Sequence, residues 1–357
     1  MFGIKAGKKL FDRPWQGTLS DYVTAVAWSP DGLTLAAASG SGEIALWKEG
    51  NLTALQNAQE QSIDCIGFSF DGQYFAAGGQ DGRVKIWRLK LPEAELITTL
   101  ENAPAWVDRL AWNPRRNELA FSMGKYLQVW DVEAKEVVVT LNFEASSVLD
   151  MGWRPNGENI AVAGNQGIKV WNALDWDEDP EFLEVPAASL AIAWSNEGKY
   201  IASANLDRTL TVWEWGNPSP WLMRGFPGKL HNLSWSNINT QLGVPLLASS
   251  CADSVVVWEK DADETIGWDG RILEGHVGIV CAIAFQPGSF LLASAADDGF
   301  VGLWQKAKQI AQTLTGAPDG FSCIAWHPQG HQLAAGGQNG ELIVWSQSTT
   351  GKGFSSR

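Results

Sequence analysis

Apolar residues along this chain fall in short runs separated by small clusters of polar residues, glycine and proline. The segment CAIAFQPGSFLLASAADDGFVGLW (281–304) shows the pattern. CAIAF is an apolar run closed by Pro and Gly, which predicts a strand followed by a tight turn. LLASAA is a second run, and DDG after it supplies a hairpin turn in which glycine accepts positive φ. FVGLW is a third. A fourth, more variable run leads to the next unit: TALQNA, LITTLENA, EVVVTLNF, EFLEV, WLMRGF, RILEGH and IAQTLTGA. The 3.6-residue spacing of an amphipathic helix is absent almost everywhere, so the pattern predicts an all-β chain.

The third run closes on tryptophan each time: IALW (Trp47), VKIW (Trp87), LQVW (Trp130), IKVW (Trp171), LTVW (Trp213), VVVW (Trp258), VGLW (Trp304) and LIVW (Trp345), spaced 40 to 46 residues apart. Upstream of each lies a matching first run: AVAWSPDG, CIGFSFDG, RLAWNPRR, DMGWRPNG, AIAWSNEG, NLSWSNIN, AIAFQPGS and CIAWHPQG. The unit is a four-stranded antiparallel sheet too small to bury both faces alone, so it must stack on its neighbours. The chain begins with a fourth-type run, KLFDRPWQGTL, and ends on a third-type run, ELIVW. The first strand of the chain can therefore supply the strand that the last unit lacks, which would remove an exposed pairing edge.

The period, the closing Trp, the DDG and DRT turns and the single Gly275-His276 dipeptide resemble the tryptophan–aspartate (WD) repeat β-propellers, over residues 10–347. Eight copies of the unit predict eight blades, and the resemblance implies that they close into one ring with the N-terminal strand in the last blade. The alternative is seven blades with a divergent sixth unit outside the ring, because that unit carries the insert NINTQLGVP (237–245). Residues 10–347 are then one domain, flanked by polar tails at 1–9 and 348–357 that are expected to be mobile. The same resemblance bears on a constellation that looks catalytic. His276, Ser294 and Asp298 are the residue types of a hydrolase triad, yet they occupy repeat slots: Asp81 and Asp207 stand where Asp298 does, and Ser203 where Ser294 does. In the resembled family His, Ser, Asp and the closing Trp form a network inside a blade, so His276, Ser294, Asp298 and Trp304 are expected to be structural, with apolar packing in the other units. No Gly-x-Ser-x-Gly elbow is present to expose a nucleophile.

Composition narrows the function. Twenty Trp and 37 Gly among 357 residues fit one structural position reused many times. A net charge of −14 repels nucleic-acid phosphates and anionic headgroups and favours basic partners. Cys65, Cys251, Cys281 and Cys323 form no CxxC and read as reduced thiols. MFGIKAGKKLFDRPW lacks the apolar core of a signal peptide, and no apolar run is long enough for a membrane helix, so the cytoplasm is the expected compartment.

Candidate contact residues fall on two faces. The loops 174–182 and 260–270 are acidic. Asp175, Asp177 and Asp179 resemble the start of a calcium loop, but Pro180 and Pro186 stand where its Gly and bidentate Glu are required. With Trp176 and Trp268 as exposed anchors these loops would dock a basic partner; the alternative is that each Trp packs back on its own blade. On the opposite face, the loops leading into the first strands carry Tyr22, Asp64, Trp106, Asp108, Arg109, Asp150, His231 and Phe321, a mixture suited to protein contact. The expected function is a noncatalytic interaction scaffold, monomeric alone, binding one or more proteins with basic surfaces, without cofactor, nucleic acid or membrane insertion. The alternatives are a metal or small ligand in the central channel near Cys65, Cys281, Cys323 and His231, and an enzyme built on Asp64, Asp108 and Asp150.

Overall fold

The computed structural model describes residues 9–90 and 93–348, so all of the expected tails except Lys9 and Ser348 lies outside the described residues. Among the described residues there are 32 strands and no helix, arranged as eight four-stranded antiparallel sheets. Blades 1 to 7 each use four consecutive strands, and their first strands start at Val23, Ile63, Leu110, Asp150, Ser189, Leu230 and Val280. Blade 8 takes three strands from Phe321–Trp326, Gln332–Gly337 and Glu341–Gln347, and its fourth is the chain's first strand, Phe11–Thr18. Phe11 pairs with Gln347 and Thr18 with Glu341, and the Ser348 N–H donates to Leu10 O at 2.8 Å. Phe11 is buried against Trp326, so closure adds core as well as hydrogen bonds.

The seven-bladed alternative is not what the structure shows. Blade 6 stands in the ring, and its insert lengthens one hairpin: the first strand runs Leu230–Asn239, turns through 240–244, and returns as Pro245–Cys251.

Each second strand is sandwiched between neighbouring blades. Leu35–Ser39, Tyr74–Gly79, Tyr200–Asn205 and Leu292–Ala296 are buried at every residue and rich in alanine and glycine, as the tapering wedge near the axis requires. The core is divided among the blade junctions. Leu35, Ala37 and Trp47 of blade 1 pack with Ala334, Leu342 and Val344 of blade 8, while Ala36, Ala38 and Ile44 pack with Ile63, Phe75 and Trp87 of blade 2.

The first-strand tryptophans tie each blade to the one before. The indole N–H groups of Trp28, Trp112, Trp153, Trp194, Trp235 and Trp326 donate to Ala325 O, Gly67 O, Ala111 O, Gly152 O, Ala193 O and Ala284 O at 2.9–3.2 Å. Each such bond contributes about 0.5–1.5 kcal/mol. Blades 2 and 7 have Phe68 and Phe285 in this position and no N–H to donate.

Candidate functional site

The ring presents two faces. On one, which we call the inlet face, the loops entering the first strands lie beside the turns between second and third strands. Backbone bonds join the two sets: Gly40 N–H to Tyr22 O, Gln80 N–H to Ser62 O, and Asp297 N–H to Ile279 O, at 2.9–3.1 Å. On the outlet face the connections from third to fourth strands lie beside the turns between first and second strands, as in the bonds from Leu89 N–H to Gln73 O and Trp215 N–H to Lys199 O.

The inlet face holds most of the expected contact residues. Trp106 is 54% exposed and Tyr22 41%, and Asp108, Arg109 and His231 are also exposed. Tyr22 lies across Gly40, where a Cβ would come within 2.3 Å of its ring, so the glycine makes the seat for the aromatic ring. Asp64 and Asp150 sit lower, at the heads of first strands. The Ser62 hydroxyl donates to Asp64 at 2.6 Å. Asp150 accepts from the Ile192 N–H at 2.8 Å and pairs with Arg109 Nε at 3.4 Å, so one carboxylate links blades 3, 4 and 5. Burial pushes the Asp150 pKa up, against the opposing pull of the Ile192 N–H and Arg109.

Three expected contact residues lie elsewhere. Phe321 is buried at the head of its strand against Trp345, and belongs to the core of the closing junction. Trp268 is also core, at 6% exposure, within a cluster of Tyr200, Trp221 and Trp235 that seals blade 5 to blade 6. Trp176 is half-buried and packs on Trp153 of its own blade at 6.4 Å. The acidic outlet loops therefore lack the two exposed indoles expected of them. Missing from the expected set were Val277, 86% exposed, and Ile279, 53% exposed, on the inlet loop of blade 7. Two β-branched apolar residues around Gly278 before the strand begins were the available signal.

The blade 7 network is continuous. The Trp304 indole N–H donates to Ser294 Oγ at 2.8 Å, and Ser294 Oγ lies 2.7 Å from His276 Nε2. His276 Nδ1 meets Asp298 Oδ2 at 3.0 Å, and the same oxygen accepts the Val277 N–H at 3.0 Å. The carboxylate can only accept, so Nδ1 carries the proton and the Ser294 hydroxyl donates to Nε2. Ser294 Oγ is also taken up by the Trp304 indole N–H, and the three polar side chains lie inside the blade: Ser294 is fully buried and the side chains of His276 and Asp298 are 4% and 3% exposed. The other blades do not all manage by apolar packing. In blade 5, Ser189, Ser203, Asn205, Thr209 and Thr211 form a buried polar chain with contacts of 2.6–3.0 Å. In blade 6 the Trp258 indole donates to Ser249 at 3.2 Å. Among the described residues Trp47 and Trp130 have no partner for their buried indole N–H, because Ala37 and Phe121 fill the serine slot.

The channel offers little for a metal. Among the described residues no three His, Cys, Asp or Glu side chains come together as a metal would need. Burial pushes the Cys65 thiol far up and Cys323 up to about 11, so both are protonated and unreactive near neutrality. On the outlet face the His327 and His331 rings lie 3.8 Å apart. His327 has both nitrogens engaged, with Nε2 3.1 Å from Gly32 O and Nδ1 accepting the Gln329 N–H at 3.0 Å.

Ring, closing strand and repeat network together define a WD-repeat β-propeller. Comparison with known families agrees: residues 13–48, 50–88, 135–172, 187–214, 268–305 and 308–346 match the WD domain, G-beta repeat, and the chain belongs to that family. Each matched stretch ends just after a closing tryptophan; blade 3 and blade 6, the latter with the long hairpin, lie mostly between matches. Among relatives, periodic tryptophan protein 2 of Arabidopsis thaliana is 24% identical over 80% of this chain and 30% of its own length. The WD repeat-containing protein 26 homolog of the same plant is 23% identical over 78% of this chain and 47% of its own. The chain thus spans less than half the length of these relatives. Sqt1 from Chaetomium thermophilum superposes with a TM-score of 0.82 at 16% identity, covering 96% of this chain and 100% of that one. In its crystal structure bound to the N-terminus of the ribosomal protein L10, the TM-score is 0.79 at 16% identity, over 92% and 97% of the two chains.

Proposed function

We propose that this chain is a noncatalytic protein-interaction scaffold, a rigid ring that holds a partner protein on its inlet face. The observation that carries the reading is Trp106, 54% exposed beside Asp108 and Arg109 on a loop whose frame is fixed by the Arg109–Asp150–Ile192 bridge across three blades. An exposed indole costs solvation unless it is used, and an aromatic anchor with charged neighbours on a rigid base is the composition of an interface centre. The net charge of −14 supports a partner with a basic surface, steered electrostatically, and disfavours nucleic acid and anionic membranes. The fold shared with Sqt1, which was solved with the N-terminus of a ribosomal protein bound, supports a protein segment as the ligand class. The chain acts in the cytoplasm, as a monomer until its partner binds.

The test is affinity purification from the native host followed by mass spectrometry and metal analysis of one eluate. A near-stoichiometric protein that elutes as salt is raised supports the reading. A bait that carries no protein and one equivalent of metal overturns it in favour of the channel.

A further inference from the structure

Resting on the scaffold reading, we propose a specific contact on blade 7: a cleft and an apolar ledge on the inlet side that take one aliphatic side chain of a partner segment flanked by lysine or arginine. Val277 and Ile279 are 86% and 53% exposed, on a loop that the structure holds rigidly. Asp298 accepts the Val277 N–H at 3.0 Å and, through its other oxygen, the Phe300 N–H at 3.1 Å, while the Asp297 N–H donates to Ile279 O and the Val280 N–H to Ala252 O. The His276–Ser294–Trp304 network anchors the same loop from below. A loop fixed by this many polar bonds has little ordering cost on binding, and it displays two β-branched side chains to water.

Beside Val277 opens a cleft of about 170 Å³ with Trp304 and His276 in its lining and Phe300 and Ile310 at its exposed rims. Two glycines keep it open: a Cβ on Gly275 would stand 3.0 Å from the Trp304 ring, and one on Gly302 would stand 3.1 Å from both Ser294 Oγ and the indole nitrogen. The volume suits a single leucine-sized side chain.

Charge selects the flanking residues. Asp253, Glu274, Asp297 and Asp319 lie on the turns around the ledge, and the segments 252–254, 274–280, 297–300 and 317–320 contain no Lys or Arg. The Asp297 carboxylate is half-buried beside Gly278 and makes no hydrogen bond or ion pair among the described residues. A cation on the partner would supply one.

The probe is acetyl-Lys-Leu-Lys-amide, titrated into the full chain with labelled Ile and Val methyl groups and followed by NMR. Acetyl-Glu-Leu-Glu-amide and acetyl-Lys-Ser-Lys-amide serve as controls. The expected result is saturable shifts at Val277, Ile279 and Ile310 with the first peptide only, weakened roughly tenfold by V277S/I279S and by D297N, as loss of an anchor or of a charge partner implies. Equal shifts with the acidic peptide, or none with any, overturn the proposal. So do shifts of these methyls on raising the protein concentration alone, which would make a second copy the occupant. A host partner retained by V277S/I279S but lost with Trp106→Ala would leave the scaffold reading intact and remove this site.

Discussion

At the scale of single residues, the serine slot is a natural experiment within one chain. Ser294 and Ser249 satisfy the indoles of Trp304 and Trp258, while Ala37 leaves the Trp47 N–H buried without a partner among the described residues. Ser294→Ala should cost about 1–3 kcal/mol, because it strands both an indole N–H and His276 Nε2. Ala37→Ser should gain about 0.5–1.5 kcal/mol by supplying the missing acceptor. Urea-unfolding midpoints check both, and equal midpoints for the three proteins would contradict the account. His327 gives a pH dependence with a definite sign. Burial, then the neighbouring His331, holds its pKa below the ordinary imidazole value of about 6.5. Its contribution to stability is therefore complete above that value and is lost as pH falls through the lower folded one. The unfolding midpoint should drop between pH 7 and pH 5 more steeply in the wild-type chain than in His327→Gln.

At the scale of elements, the blade signature was legible because it recurs. A strand ending in AVAW and another ending in IALW announce themselves by repetition, and the hairpin turns between them by Gly and Asp. What each tryptophan touches was not legible. The acceptor for Trp153 is Ala111 O, 42 residues away on another blade, and spacing within one unit carries no trace of it. Trp153→Phe should cost about 1 kcal/mol by removing the hydrogen bond that ties blade 4 to blade 3, a loss that thermal or urea unfolding would register. Exposure was misjudged for the same reason. Trp268 and Trp106 both sit in or beside polar loops, but Tyr200, Trp221 and Trp235 close over the first, whereas the second is exposed. Burial in a propeller is decided by the neighbouring blade. Phe321, read as loop, begins a strand and turns inward, whereas Val277 and Ile279 fall just before one and stay outside.

At the scale of the whole molecule, closure makes the ring a single cooperative object. Removing residues 1–18 deletes the strand that pairs with Glu341–Gln347, uncovers that edge and takes Phe11 from the core. The truncated chain should lose its single melting transition and elute as oligomers in size-exclusion chromatography with light scattering; a monomer with an unchanged melt would show that closure is dispensable. A closed ring with its chemistry-bearing residues bound to one another is suited to presenting surface, and the interaction face is the central claim. The measurement that reaches it most directly is the host affinity purification run in parallel with wild-type, Trp106→Ala/Asp108→Ala and Val137→Ser baits, the last altering an exposed valine on the outer strand Glu136–Asn142. The account predicts one near-stoichiometric protein with the wild-type and Val137 baits and its loss with the double variant. Recovery of the same protein in equal amount with all three would contradict it.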